Sequence, residues 1–259
     1  MRKMGRILIT ALLMSGICSC ASMDKNTKQR QVASLLAYLF PNSEQIEPQS
    51  DMVAEIEVPF RIGVAFVPDH NDPEFRLPET DRLTLAGKVR DAFAKYPFIR
   101  EIVAVPSMYL ESGGGFENLD RIAALLKLDV VALVSFDQVQ NAGPTGWSFL
   151  YWTGLGAYII NGDQYDILTA VETAVFDIKS RRLLMRASGV SNIEGTATMV
   201  GFPERARKAR TSGFEEAMEE MVGKLHEEVK LFRERAPKDP SVQLILPPGY
   251  NPHATNTSQ

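Results

Sequence analysis

Histidine and cysteine are scarce: three and two in 259 residues. So small a stock leaves little from which to build a zinc site, a disulfide framework or a histidine-dependent triad. Basic residues are not in excess, with 28 Lys and Arg against 32 Asp and Glu and a formal charge of −4. A general nucleic-acid binder is excluded on that balance, because nothing draws a polyanion to the surface as a whole. No apolar run reaches the length of a membrane span; the longest N-terminal one, Ile7 to Met14, is too short. A nucleophile elbow of the form G-x-S-x-G is missing, as is any Ser or Cys with an evident His partner. What the chain does have is 45% apolar and 23% charged residues, enough for a sizeable core in one or two domains.

The first 19 residues have the layout of a secretory signal: Arg2, Lys3 and Arg6, then the apolar run, then small residues. The stretch Ile17-Cys18-Ser19-Cys20 resembles a bacterial lipobox. That resemblance implies cleavage before Cys20, which small Ser19 precedes, and acylation of Cys20. Cys18 fits less well, because bulky Ile17 stands before it. Cleavage removes three positive charges and takes the formal charge from −4 to −7. The lipid bilayer is then a partner through acylated Cys20, with several acyl chains giving a firm anchor. In proteobacterial lipoproteins an Asp after the cysteine usually signals inner-membrane retention. Here Ala21 takes that place, which implies the outer membrane.

Four segments follow from the pattern: a signal peptide over 1–19, a lipidated tether over 20–55, an α/β domain over 56–236 and a Pro-rich tail over 237–259. Within the tether, Val32, Leu35, Leu36 and Leu39 recur at helical spacing before Pro41 and predict a short amphipathic helix. The domain opens with strand 60–67 (FRIGVAFV), helix 80–96, strand 99–105, helix 116–128 and strand 130–139, a β-α-β-α-β order. Residues 165–178 and 183–193 then read as an antiparallel hairpin about Lys179 to Arg182. A long helix from Pro203 to Arg235 carries Phe214, Met218, Met221, Leu225, Val229 and Phe232 on one stripe. The fold class expected is α/β (α+β): a mixed sheet, a hairpin and a long C-terminal helix. The tail, with five prolines, is expected to be extended or disordered.

Several stretches together resemble the rhombotarget lipoprotein family: SLLAYLFP at 34–41, RIGVAFVP at 61–68, VVALVSFDQ at 130–138, YWTGLGAYIINGD at 151–163 and AVFDIKSRRLLMRASG at 174–189. The order is similar, more distantly, to periplasmic α/β lipoproteins that include penicillin-binding-protein activators and the curli secretion lipoprotein. In those a hairpin carries a turn much like Asp177 to Leu183. The resemblance covers about residues 34–235 and rests on fold-like rather than catalytic motifs. Some proteins of the rhombosortase-linked group carry a C-terminal Gly-Gly signal and a hydrophobic helix; the closing ATNTSQ matches neither, a departure that puts such processing in doubt.

Each cluster that could carry chemistry has a plainer alternative. Pro68-Asp69-His70-Asn71-Asp72 puts two carboxylates and an imidazole in one loop, yet a closed metal site needs more ligands than that, and a solvated turn is expected. The Gly-rich loop Ser112 to Gly115 precedes a helix but lacks the Lys and Ser/Thr of a P-loop, so it reads as a flexible connection, with a ligand-contacting loop as the alternative. Arg205, Arg207, Lys208 and Arg210 form a basic run at the start of the last helix, with Arg181, Arg182 and Arg186 on the hairpin before it; a solvated face and a contact for anionic groups both fit. Cations near a helix N-terminus oppose the macrodipole by a few tenths of a kcal/mol each. Trp147 to Ile160 (WSFLYWTGLGAYII) has no charge, and Trp147, Tyr151, Trp152 and Tyr158 either cover the core or form a contact surface.

No catalytic residue, metal site or cofactor is expected. The reading is an outer-membrane-anchored lipoprotein that acts as a non-enzymatic interaction module for an envelope protein or assembly. Self-association as a subunit of an envelope export assembly is the first alternative, and a hydrolase acting on an envelope polymer is the second.

Overall fold

The computed structural model describes residues 27–41, 52–69, 76–148, 150 and 156–250. In chain order they form β1 (Thr27–Ala33), α1 (Leu35–Leu39), β2 (Ala54–Glu57), β3 (Phe60–Phe66), α2 (Glu79–Phe93), β4 (Ile99–Val105), α3 (Gly115–Leu126) and β5 (Val130–Pro144). Then come α4 (Gly156–Ile159), β6 (Asp163–Asp177), β7 (Leu183–Ala197), α5 (Phe202–Arg235) and β8 (Val242–Ile245). The fold is mixed α/β, as the order of elements in the sequence predicts. Six strands make one mixed sheet, ordered β4-β3-β5-β6-β7 with β1 also paired to β5; β2 and β8 make a second, two-stranded sheet.

The chain divides into two compact units. Among the described residues, one comprises 27–29 with Gln140–Ile167 and Ile193–Ala209; the other comprises those of Arg30–Val139, Leu168–Asn192 and 210–250. In the second, β3 is the central parallel strand, with Ile62 opposite Ile102 of β4 and Val130 of β5. Its run of β-branched and aromatic residues suits burial on both faces. Because β4 and β5 lie on opposite sides of β3, right-handed crossovers put α2 and α3 on opposite faces of the sheet. Helix α5 joins α2: Lys88 reaches Glu215 at 3.1 Å, and Phe93 stacks on His226 at 4.2 Å between centroids. Burial and nearby Lys95 hold the His226 imidazole below its ordinary pKa. The stripe on α5 does what its spacing predicts over most of its length, with Phe214, Met218, Met221, Leu225 and Val229 buried and Phe232 partly buried.

Three expectations are corrected. Residues 27–33, assigned to tether and helix by composition, are a strand. Gln31 and Ala33 turn inward, and Arg30 forms a bidentate pair with Asp137 of β5, Nε–Oδ1 2.9 Å and Nη2–Oδ2 2.5 Å. A polar edge strand has no run of apolar residues to announce it. The tail is extended over β8 but paired rather than free, because β8 runs in parallel with β2, from Ala54 opposite Val242 to Glu57 opposite Ile245. The Gly-rich loop is packed rather than flexible. Asn118, buried on α3, accepts from Glu111 N at 3.0 Å and from the Tyr38 hydroxyl at 2.9 Å, and donates to Tyr109 O at 3.1 Å. Gly113 and Gly115 hold φ of 65° and 58°, and a Cβ on Gly115 would stand 3.1 Å from Leu39 O, so α1 seats directly on this turn. Burial, and then the Glu111 carboxylate, push the Tyr38 phenol well above its ordinary pKa.

Candidate functional site

The surface that stands out lies in the unit built from 140–167 and 193–209. Strand β5 runs out of regular pairing at Pro144, and the excursion to β6 is closed at its base by Thr145 N donating to Gly162 O at 2.5 Å. Among its described residues, Ser148 N and Oγ both donate to Thr145 O, at 3.1 and 2.8 Å, and Leu150 N donates to Trp147 O at 3.1 Å. Trp147 is 63% exposed, Tyr158 69% and Ile159 70%.

A second turn meets this one. Between β7 and α5, Gly201 N donates to Thr198 Oγ1 at 3.1 Å, and Val200 N donates across to Ala157 O at 3.3 Å. That bond sets Met199 and Val200, 52% and 54% exposed, beside Tyr158 and Ile159. Beneath them the unit has its own apolar support: Ile167 and Ala197 are fully buried, and Tyr165 meets Phe202 edge-on at 6.1 Å. Single exposed apolar residues are ordinary, whereas a cluster of them on one surface marks a contact.

The basic run is divided. Ala206 and Ala209 are buried on the inner side of the first turns of α5, so Arg205, Arg207 and Lys208 are exposed in the same unit as the apolar cluster. Arg205 Nη1 also donates to Thr196 O at 3.1 Å. Arg210 belongs to the other unit, where its carbonyl accepts from Gln138 Nε2 at 3.1 Å. The hairpin arginines belong to that other unit and pair within it: Arg181 reaches Asp120 at 3.4 Å and Arg186 reaches Glu172 at 3.8 Å. Tyr151, Trp152 and Cys20 lie outside the described residues, as do His70, Asn71 and Asp72.

Asp69 corrects the expectation of a solvated turn. Its carboxylate is buried and held by Arg82 at 2.7 Å and Arg76 at 3.1 Å, so its charge is spent on structure. Among the described residues, no group of three or more His, Cys, Asp or Glu is placed to hold a metal ion, and no helix is long and apolar enough to cross a membrane. Met199 and Val200 escape the sequence reading because they lie some forty positions from Trp147 to Ile160 and join it through one backbone bond; the apolar pair before Gly201-Phe202-Pro203 is the sole local signal.

No family model matches the chain, and no curated protein does. Among solved structures it is similar to two of the PelC dodecamer from Paraburkholderia phytofirmans. A point variant in space group C2 shows 9% identity over 73% of this chain and 99% of that chain; a structure in space group P6 shows 8% over 76% and 96%. Both have a TM-score of 0.26, at which the likeness carries no argument.

Proposed function

We propose that the chain is a lipid-anchored, non-enzymatic interaction module of the outer membrane, and that it contacts another envelope protein through the unit bearing Trp147, Tyr158, Ile159, Met199 and Val200. The observation that carries the reading is a cluster of four large apolar side chains, Tyr158, Ile159, Met199 and Val200, each more than half exposed and brought together where Val200 N meets Ala157 O, with Trp147 exposed in the same unit. Arg205, Arg207 and Lys208 in the same unit supply a basic component suited to a partner with acidic groups. The resemblance to rhombotarget lipoproteins and the lipobox at Cys20 support placement at the envelope.

Photo-crosslinking side chains introduced at Tyr158 and Met199 of the full chain, in cells, test the contact. A single foreign envelope protein is expected in the adducts. Adducts between copies of the chain would replace this reading with a self-oligomerising subunit, and adducts to lipid alone would remove the protein contact. Ile159→Asp with Val200→Asp is expected to cut the adduct yield tenfold or more, in the range of an interface hot spot. The fold should hold within about 0.5 kcal/mol, since both side chains are exposed.

The anchor has its own test. Cys20→Ala should abolish incorporation of a radioactive fatty acid, while Cys18→Ala should leave it unchanged. Undiminished labelling of the Cys20 variant would end the lipoprotein reading without touching the contact surface.

A further inference from the structure

In the unit comprising 30–139, 168–192 and 210–250, α5 does not close fully onto the sheet. A cavity of about 530 Å3 remains between them. Its floor includes Ile62 and Val64 of β3 and Ala132 of β5; Val229 and Phe232 of α5 lie over it, and Ile56 and Leu244 of the two-stranded sheet close one side. Ile62 shows that the space opens to solvent. It sits on the central strand with neighbours on both sides and a helix above, yet it is only partly buried.

Protein interiors leave few voids larger than a water molecule. An apolar cavity of about 150 Å3 already stays dry and takes up benzene, and a water needs two to four polar partners to be held. The lining here is almost wholly apolar and offers few such partners, so hydrocarbon is the occupant that it stabilises. The rim is different. Lys230 and Arg233 stand exposed on α5, with the Arg233 guanidinium 5.9 Å from the Phe98 ring centroid. Glu234 is beside them, which leaves the rim of these three with one net positive charge.

We infer that the cavity binds a single-chain fatty acid, its hydrocarbon against Ile62, Ala132 and Val229 and its carboxylate at Lys230 and Arg233. At roughly 30 Å3 for each water-sized group, the space takes a chain of about seventeen carbons, so that of palmitate fits within it. The inference is independent of the contact surface and of the anchor.

Palmitate titrated into the full chain carrying Cys20→Ala, so that no attached acyl group competes, should bind saturably at one site. Across a series of shorter acids, affinity should rise about three- to fourfold per methylene until the cavity is filled. Arg233→Gln with Lys230→Gln should weaken palmitate tenfold or more and leave its methyl ester unchanged. Ala132→Phe, which fills the floor, should abolish binding of both while circular dichroism reports a retained fold. Should that variant not fold, a palmitate analogue with a photoreactive group near the chain end decides the matter on the unfilled protein, where adducts are expected on the peptide containing Val229 and Phe232. Absence of saturable binding, undiminished binding by a folded Ala132→Phe protein, or adducts confined to other peptides would overturn the inference.

Discussion

Gly189→Ala is expected to destabilise the protein by about 3 kcal/mol or more, although it adds one methyl group. A Cβ at this position of β7 would stand 2.0 Å from Ala217 O and 2.6 Å from Met221 N, both backbone atoms of α5. Neither can swing aside as a flexible side chain would. Relief requires the helix to lift from the sheet, and with it Phe214, Met218 and Met221, which are among the most deeply buried side chains of the unit. The opposite element is cut back in the same way: a Cβ on Gly213 of α5 would lie 2.7 Å from Thr169 Oγ1. Beside the two glycines, buried side chains of the strands reach the helix with hydrogen bonds, Ser191 Oγ donating to Gly213 O at 2.8 Å and Gln138 Nε2 donating to Arg210 O at 3.1 Å. Those bonds are in buried surroundings, so separating the elements also leaves polar groups unpaired. Gly223→Ala is the control. It lies in the same helix with nothing within 4 Å of the added carbon, and it should stabilise by about 0.5–1 kcal/mol. Urea unfolding of both variants checks the pair; a loss under 1 kcal/mol for Gly189→Ala would mean that the close crossing is not rigid.

That crossing marks the limit of what could be read from the chain. The alternation of β3, α2, β4, α3 and β5 and the apolar stripe of α5 are local patterns with a period, and they are legible because each residue reports its own environment. A glycine in a strand reports only that something comes near, not what. Strands β1 and β8 were hidden for a related reason. The first is rich in Gln, Lys and Arg, and its place is fixed by Arg30 finding Asp137, more than a hundred positions away. The second is four residues among prolines, and it exists because Ala54 to Glu57 offers it a parallel edge. The candidate surface divides in the same manner. Trp147 and Tyr158 are visible as aromatics in an uncharged stretch, while Met199 and Val200 enter only through the bond from Val200 to Ala157. Neutral composition identified a segment that needed an explanation, and hydrogen-bonded turns decided which of its side chains face outward.

The loop Pro68 to Asp72 reverses that lesson, since its residues look like surface and one of them is interior. Asp69 has a side chain 2% exposed, and Arg82 of α2, 6% exposed, meets its Oδ2 through Nη2 at 2.7 Å while donating from Nε to Leu77 O at 3.0 Å. Arg76 approaches the other oxygen at 3.1 Å but is half exposed. Removing one member of a buried pair leaves the other charge without compensation, at a cost of about 3–5 kcal/mol, whereas an exposed partner contributes about 0–1 kcal/mol. Asp69→Ala is therefore expected to destabilise by several kcal/mol, and Arg76→Ala by less than 1 kcal/mol. The attraction within a buried pair roughly offsets the desolvation of its two members, so replacing both by apolar groups restores much of what replacing one takes away. Asp69→Leu with Arg82→Met should accordingly recover most of the loss, the remainder reflecting the acceptor at Leu77 O that loses its donor. Chemical denaturation of the three variants separates the cases. If Asp69→Ala proves no costlier than Arg76→Ala, the carboxylate is solvated in solution and the start of α2 is held instead by Ser107 N donating to Glu79 Oε1 at 2.8 Å and by the buried Leu77 and Leu85.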